Sequence, residues 1–110
     1  MQEESSEGVV LVGRKPTMNY VVACLTLFNS GKTPVTVRGR GYAISRAVDT
    51  VELLRKAFIK NLKIQRINIG TQQYTLPGDI ESSTSTIEIV ISKPSQNTDI
   101  PRLLRTKASK

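Results

Sequence analysis

Twice in its first 60 residues the chain repeats one plan: a short apolar or β-branched run, a glycine with basic neighbours, then apolar residues at helical spacing. Val9-Val10-Leu11-Val12 is followed by Gly13-Arg14-Lys15 and a helical pattern, and Val35 to Val37 by Arg38-Gly39-Arg40-Gly41 and another. Two strands each feeding a helix pack compactly when the strands run parallel and the helices cross over with the usual right hand. That geometry sends both glycine turns to the same end of the sheet.

The first run reads as a buried strand bounded by Gly8 and Gly13. Pro16 suits the first turn of a helix, where a missing N–H costs nothing. Met18, Val21, Val22, Leu25 and Phe28 then recur at helical spacing, and Asn29-Ser30-Gly31 closes the helix. Ala23, Cys24 and Leu27 widen its apolar surface, so it should be covered on two sides, by its own sheet and by a partner chain or helix. The second helix spans Ile44 to about Ile59, with Ile44, Ala47, Val48, Val51, Leu54 and Phe58 on its apolar face. Glu52 and Lys56 stand at i,i+4, and Arg55 at the edge of that face.

Leu62/Ile64 and Ile67/Ile69 alternate in different phases, which calls for either a bulge at Gln65-Arg66 or a turn into a strand starting near Ile64. Thr75 to Thr84 reads as a polar loop with Pro77-Gly78-Asp79 at its apex, and Ile87, Ile89 and Ile91 mark the clearest strand. The order is β-α-β-α-β-β. The predicted fold is an α/β (α+β) two-layer sandwich with both helices on one face of a four-stranded mixed sheet. Its last two strands make a long hairpin whose tip projects. Residues 8–93 form the domain, 1–7 an acidic flexible N-terminus, and 94–110 a basic tail that either frays or adds a short helix.

Chemistry is restricted by what the 110 residues lack. There is no histidine, and the one cysteine, Cys24, excludes an intrachain disulfide and a thiolate zinc site. No metal or cofactor is expected. Gly39-Arg40-Gly41 stops short of a dinucleotide fingerprint, because Ile44 occupies the third glycine position and no acid follows at the required distance. Gly13-Arg14-Lys15-Pro16 lacks the spacing of a P-loop. A nuclease would need converging acids, whereas Asp49 and Glu52 sit at i,i+3 as surface charges of one helix. The N-terminus has neither the basic start nor the apolar segment of a secretory signal, and no apolar run spans a bilayer. A soluble intracellular protein without a membrane partner is expected.

Net charge is +7. Residues 9–69 hold eleven lysines and arginines against two acids, Asp49 and Glu52, whereas residues 70–92 hold no cation and three acids, Asp79, Glu81 and Glu88. The convergence of Arg14, Lys15, Arg38 and Arg40 with two helix N-termini favours a polyanion, read through its phosphates. Around them several residues carry two readings. Arg46 extends the patch or is solvated; Asn19 bonds phosphate or the facing loop; Tyr20 contacts the ligand or packs. Tyr42 stacks on a base or packs at the core edge. Phe58 is core or contacts another protomer.

"VGRKPTMNYV", "VRGRGYAISRAVDTVE" and "INIGTQQ…STIEIVI" closely resemble the Alba family of archaeal chromatin and RNA-binding proteins, in order across residues 8–93. The resemblance implies a non-enzymatic dimer, of this chain with itself or with a paralogous member. It implies binding of double-stranded DNA with little sequence preference, binding of RNA, and a location in the cytoplasm on the chromosome. A dedicated RNA or ribonucleoprotein subunit and a purely structural oligomer are the alternatives. Carried over by position, Arg14 and Lys15 contact the backbone in the first loop, while Arg38 and Arg40, with Asn19 and Tyr20 nearby, line the body. Phe58 matches an aromatic used between dimers. Two departures stand out. The hairpin from Thr71 to Thr86 has no lysine or arginine where relatives commonly have them. Arg14 replaces the lysine of relatives that are reversibly acetylated, which leaves Lys15 as the residue such a modification would reach.

Overall fold

A computed structural model describes residues 7–94 of the chain. The expected termini, 1–7 and 94–110, lie almost wholly outside the described residues. The order is β1 (Gly8–Leu11), α1 (Thr17–Asn29), β2 (Val35–Arg40), α2 (Ala43–Leu53), a π-helical turn (Leu54–Phe58), β3 (Lys63–Leu76) and β4 (Ile80–Ser92). The sheet runs β1-β2-β4-β3, with β1 parallel to β2 and the other neighbours antiparallel. Helix α1 lies over β1 and β2, and α2 over β2 and β4. The two-layer α+β arrangement and its element order are those the sequence implies. No helix of the described residues is long and apolar enough to cross a membrane.

Because both helices cover the same face, the side chains of β1 and β2 alternate between buried and exposed. Val10 and Val12 are buried while Val9 and Leu11 are exposed, so the first strand is not buried throughout as its composition suggests. The buried stripe of α1 is Val21, Cys24 and Phe28; Met18 and Val22, expected inside, point away from the sheet and are exposed. Burial pushes the Cys24 thiol up to about 12, the behaviour of a small core residue. At its C-terminus α1 ends in a Schellman pair, with the Lys32 N–H donating to Leu27 O at 2.9 Å and that of Gly31 to Phe28 O at 3.0 Å.

On α2 the buried residues are Ala43, Ala47, Thr50 and Val51, continued by Leu54 at the start of the π turn, leaving Ile44 half-buried and Val48 exposed. The π turn closes with the Ile59 N–H donating to Leu54 O at 2.8 Å. It inserts an extra residue into the helical count and carries Phe58 out of the core, 45% exposed. Glu52 bonds Arg55 through both carboxylate oxygens at 2.8 Å, and the anticipated Lys56 contact is longer, 3.6 Å.

The phase slip in β3 is a bulge. Ile64 pairs with Ile91 and Arg66 with Val90, leaving Gln65 as the extra residue. Ile64, Ile67 and Ile69 therefore share the helix-bearing face with Ile91, Ile89 and Ile87, their cross-strand partners. The helices stop short of β3, so its three isoleucines stay exposed. The anticipated polar loop is mostly strand: β3 and β4 pair out to Leu76 and Ile80, beyond the end of β2 at Arg40. The molecule is accordingly elongated, 67 × 35 × 22 Å.

Candidate nucleic-acid interface

Strand β2 continues past Arg38 through Gly39 to Arg40, so its two arginines, two residues apart, share the helix-free face. The two glycines have different reasons. Gly39 faces α2, where a Cβ would stand 2.7 Å from Ala43 O and 3.0 Å from Ala47 Cβ. Only glycine lets the helix approach so closely. Gly41 makes the turn with φ +56, and its N–H donates to Ser85 O at 2.9 Å.

At the end of the sheet the β1–α1 loop is fixed by Tyr20, which is half-buried against the core. Its hydroxyl oxygen accepts from the N–H of Gly13 at 2.9 Å and of Lys15 at 3.0 Å. From α2, Arg46 donates to Gly13 O at 2.7 Å, tying the same loop to the second helix. Arg14 crosses to the other turn, its Nε donating to the Tyr42 hydroxyl at 3.0 Å with the guanidinium carbon 5.7 Å from the ring centre. That hydrogen bond holds the Arg14 guanidinium above its ordinary value, so the charge is secure. Lys15 and Asn19 are exposed beside it and share a shallow groove with Tyr20. Neither helix N-terminus carries a side-chain cap, Pro16 and Tyr42 occupying the capping positions. First-turn amides therefore face the cationic end.

The expected cluster thus assembles, but its cations differ in availability. Arg14, Lys15, Tyr20, Tyr42 and Arg46 meet at the loops. Arg38 is engaged by Glu88, Nε to Oε2 at 2.8 Å, and Asn68 donates to the other carboxylate oxygen at 3.3 Å. The bonds from Arg38 and then Asn68 hold the Glu88 carboxyl below its usual range. Arg40 reaches across β4 to Gln72 on β3, at 3.1 Å. Tyr42 is 65% exposed, which rules out packing at the core edge, and Phe58 lies away from the cluster on the π turn. Gln72, Glu88 and the packing role of Gly39 escape the sequence reading. The alternation Val35, Val37, Gly39 carries the signal for the last. Among the described residues no group of three or more His, Cys, Asp or Glu could hold a metal ion.

These features define a small two-layer protein with one cationic end and a long uncharged-to-acidic arm. The family model described as Alba matches residues 8–71. The chain is 44% identical to "DNA/RNA-binding protein Alba" of Methanocella arvoryzae, covering 84% of this chain and 97% of the relative. It is 48% identical to "DNA/RNA-binding protein Alba 1" of Archaeoglobus fulgidus, covering 80% and 98%. Among solved structures it is similar to Alba from Thermoplasma volcanium, with a TM-score of 0.72, 38% identity, and coverage of 78% of this chain and 100% of that one. For ALBA1 from Trypanosoma brucei the TM-score is 0.66 at 27% identity, covering 93% and 82%. The chain belongs to the Alba family.

Proposed function

We propose that the protein is a homodimer that coats double-stranded DNA with little sequence preference, and binds RNA, through contacts to phosphates. It acts on the chromosome. The observation that carries this reading is the loop end itself. Arg14 and Arg40 make their side-chain bonds to neutral groups, Tyr42 and Gln72, so no bonded acid cancels their charge. Lys15 stands exposed next to Arg14 in the chain, and two uncapped helix N-termini add oriented amides. Tyr20 and Arg46 position the loop, and Asn19 lies within reach of a backbone on the same groove. Arg38 contributes once its pairing with Glu88 yields to a phosphate.

The second copy is supported by β3. Ile64, Ile67 and Ile69, 38%, 55% and 83% exposed, form an apolar strip on the helix-bearing face that the chain's own helices do not cover. A two-fold partner would cover it and double the cationic end. Phe58, exposed on the π turn, serves contact between dimers.

Binding of this kind releases counterions, so log K falls by about 0.9 per log unit of salt for each phosphate neutralised on B-DNA. In the Lys15→Ala/Arg40→Ala double variant, affinity should fall on unrelated duplexes alike, and the slope should decrease by roughly 0.9 for each phosphate left without its cation. Fluorescence anisotropy across a salt series measures both. An unchanged slope would remove this patch from the interface, and a monomer in sedimentation equilibrium would remove the two-fold arrangement.

A further inference from the structure

Toward the arm, beyond the buried Val90, the helix-free face of the sheet takes no part in the core, yet it is organised. Two polar ladders cross it from β2 over β4 to β3. One is Arg38–Glu88–Asn68; in the other, Arg40 spans to Gln72. Between them the register places Thr86 opposite both Arg40 and Gly70, so a small side chain and a missing one form the floor. Gly70 has an ordinary strand conformation, and a Cβ there would lie 3.3 Å from Thr86 Oγ1, a tight contact to which the Thr86 side chain would have to yield. The glycine keeps this floor low without serving the backbone. At the hairpin root the depression continues between Tyr42 and Tyr74, which line it together with Arg40, Gly41 and Thr84. Both rings are exposed, 65% and 42%. The Tyr74 hydroxyl accepts from Ser82 Oγ at 3.2 Å, which steadies the ring from the outer side.

Phosphate recognition accounts for Arg38 and Arg40 but not for the amides, the low floor or the paired rings. Amide side chains able both to donate and to accept, arginines beside them, a floor of small residues and two exposed aromatic faces are the means of holding an unpaired base. A base inside a duplex presents only its edges; one that is unstacked presents its face to a ring and its edge to Asn68 or Gln72. From this we infer that the Tyr42–Tyr74 cleft and the Gly70 floor bind the bases of a single-stranded nucleotide segment, a site that adjoins the phosphate-binding loops and shares Arg40 and Tyr42 with them. The inference deepens the nucleic-acid reading above and rests on it. The source of the unpaired segment is a looped or single-stranded RNA or a melted DNA strand, which share the same base chemistry.

The test uses the full chain, a 12-nucleotide single-stranded RNA carrying one 2-aminopurine, the same strand as DNA, and a 20-base-pair duplex DNA, at one fixed salt concentration. Tyr74→Leu removes a ring and Gly70→Val fills the floor. Each should weaken binding of the single strands by at least about fivefold, the scale of losing one base–aromatic stack, and reduce the 2-aminopurine quench. Both should leave duplex affinity within about twofold, because neither residue belongs to the loop end. Tyr74→Phe keeps the ring and should bind as the parent does. Circular dichroism and thermal unfolding confirm that each variant is folded. If Gly70→Val does not fold, Gly70→Ala and the tyrosine pair decide. Single-strand affinity unchanged in folded Tyr74→Leu, or an equal loss on duplex, overturns the cleft. A parent that binds single strands through these residues but not the duplex overturns the duplex reading and leaves the cleft standing.

Discussion

Among the described residues, the loop end and the hairpin are two exposed parts that a long polymer can reach, and they are built on opposite terms. The loop end is short and cationic, and it is held by side chains: Tyr20 receives two backbone N–H groups, Arg46 clasps Gly13 and Arg14 lies against Tyr42. The hairpin is long and polar, with no lysine or arginine from Thr71 to Thr86 and two acids, Asp79 and Glu81. It is held by its own ladder. Charge and reach are therefore separated in this chain. Electrostatic affinity should reside where the backbone is fixed, and the arm should contribute shape and base contact.

The strongest way to break this contrast is to remove the arm. Joining Thr71 to Ser85 through a two-residue Asn-Gly turn should leave duplex affinity within about twofold, whereas loss of the loop cations collapses the salt slope. A large loss of duplex binding on shortening would transfer the interface to the hairpin. Next in size is Gly39→Val, whose added atoms meet Ala43 O and Ala47 and push α2, with the loop it anchors, off the sheet. Overpacking of this kind costs about 1–3 kcal/mol, read from the urea midpoint. Tyr20→Phe acts on the loop alone. It leaves two N–H groups without their acceptor, a loss of about 1 kcal/mol in stability. Duplex affinity should drop several-fold with the salt slope unchanged, since no charge is removed.

The smallest effect concerns Glu88. Its carboxyl is held below the usual range by Arg38, so the pair is intact at neutral pH and any stability it adds is present above the ordinary carboxylate value. That contribution disappears as pH falls through the depressed value. Glu88→Gln frees Arg38 at neutral pH and should raise duplex affinity slightly, and it should flatten the acid side of the unfolding profile. Surface pairs contribute little, which sets the scale. Denaturation at pH 7 and pH 4 with both proteins checks the sign.

Periodicity and chemistry made much of this legible. The strand-glycine-helix repeat dictated parallel β1 and β2 and hence the meeting of Arg14 with the second turn. The broken alternation between Ile64 and Ile67 contained the bulge. What the pattern concealed were matters of coverage and tertiary partnership. Val9, Leu11, Met18 and Val22 are apolar by composition, but nothing in a single sequence says that one sheet face and the outer side of α1 lie open. A helical wheel places Phe58 inside because it assumes uniform winding, which the π turn violates. Arg38 gives no local hint of Glu88, 50 residues away. Gly39 reads as part of a turn until β2 is known to run through it.

The bulge at Gln65 has a mechanical consequence. It lies within the sheet, five residues before β3 passes the end of β2 at Gly70, and absorbs one residue without changing which face any isoleucine occupies, so its effect is on the twist and direction of the strand that becomes the arm. From Arg66 to the tip at Leu76 the strand is about 33 Å long, and a turn of about 10° at the bulge would swing the tip by about 6 Å. Deleting Gln65 would keep every face and re-aim the arm. In a two-fold pair the displacement occurs on both sides at once, which makes this one residue a setting for the span between the arms.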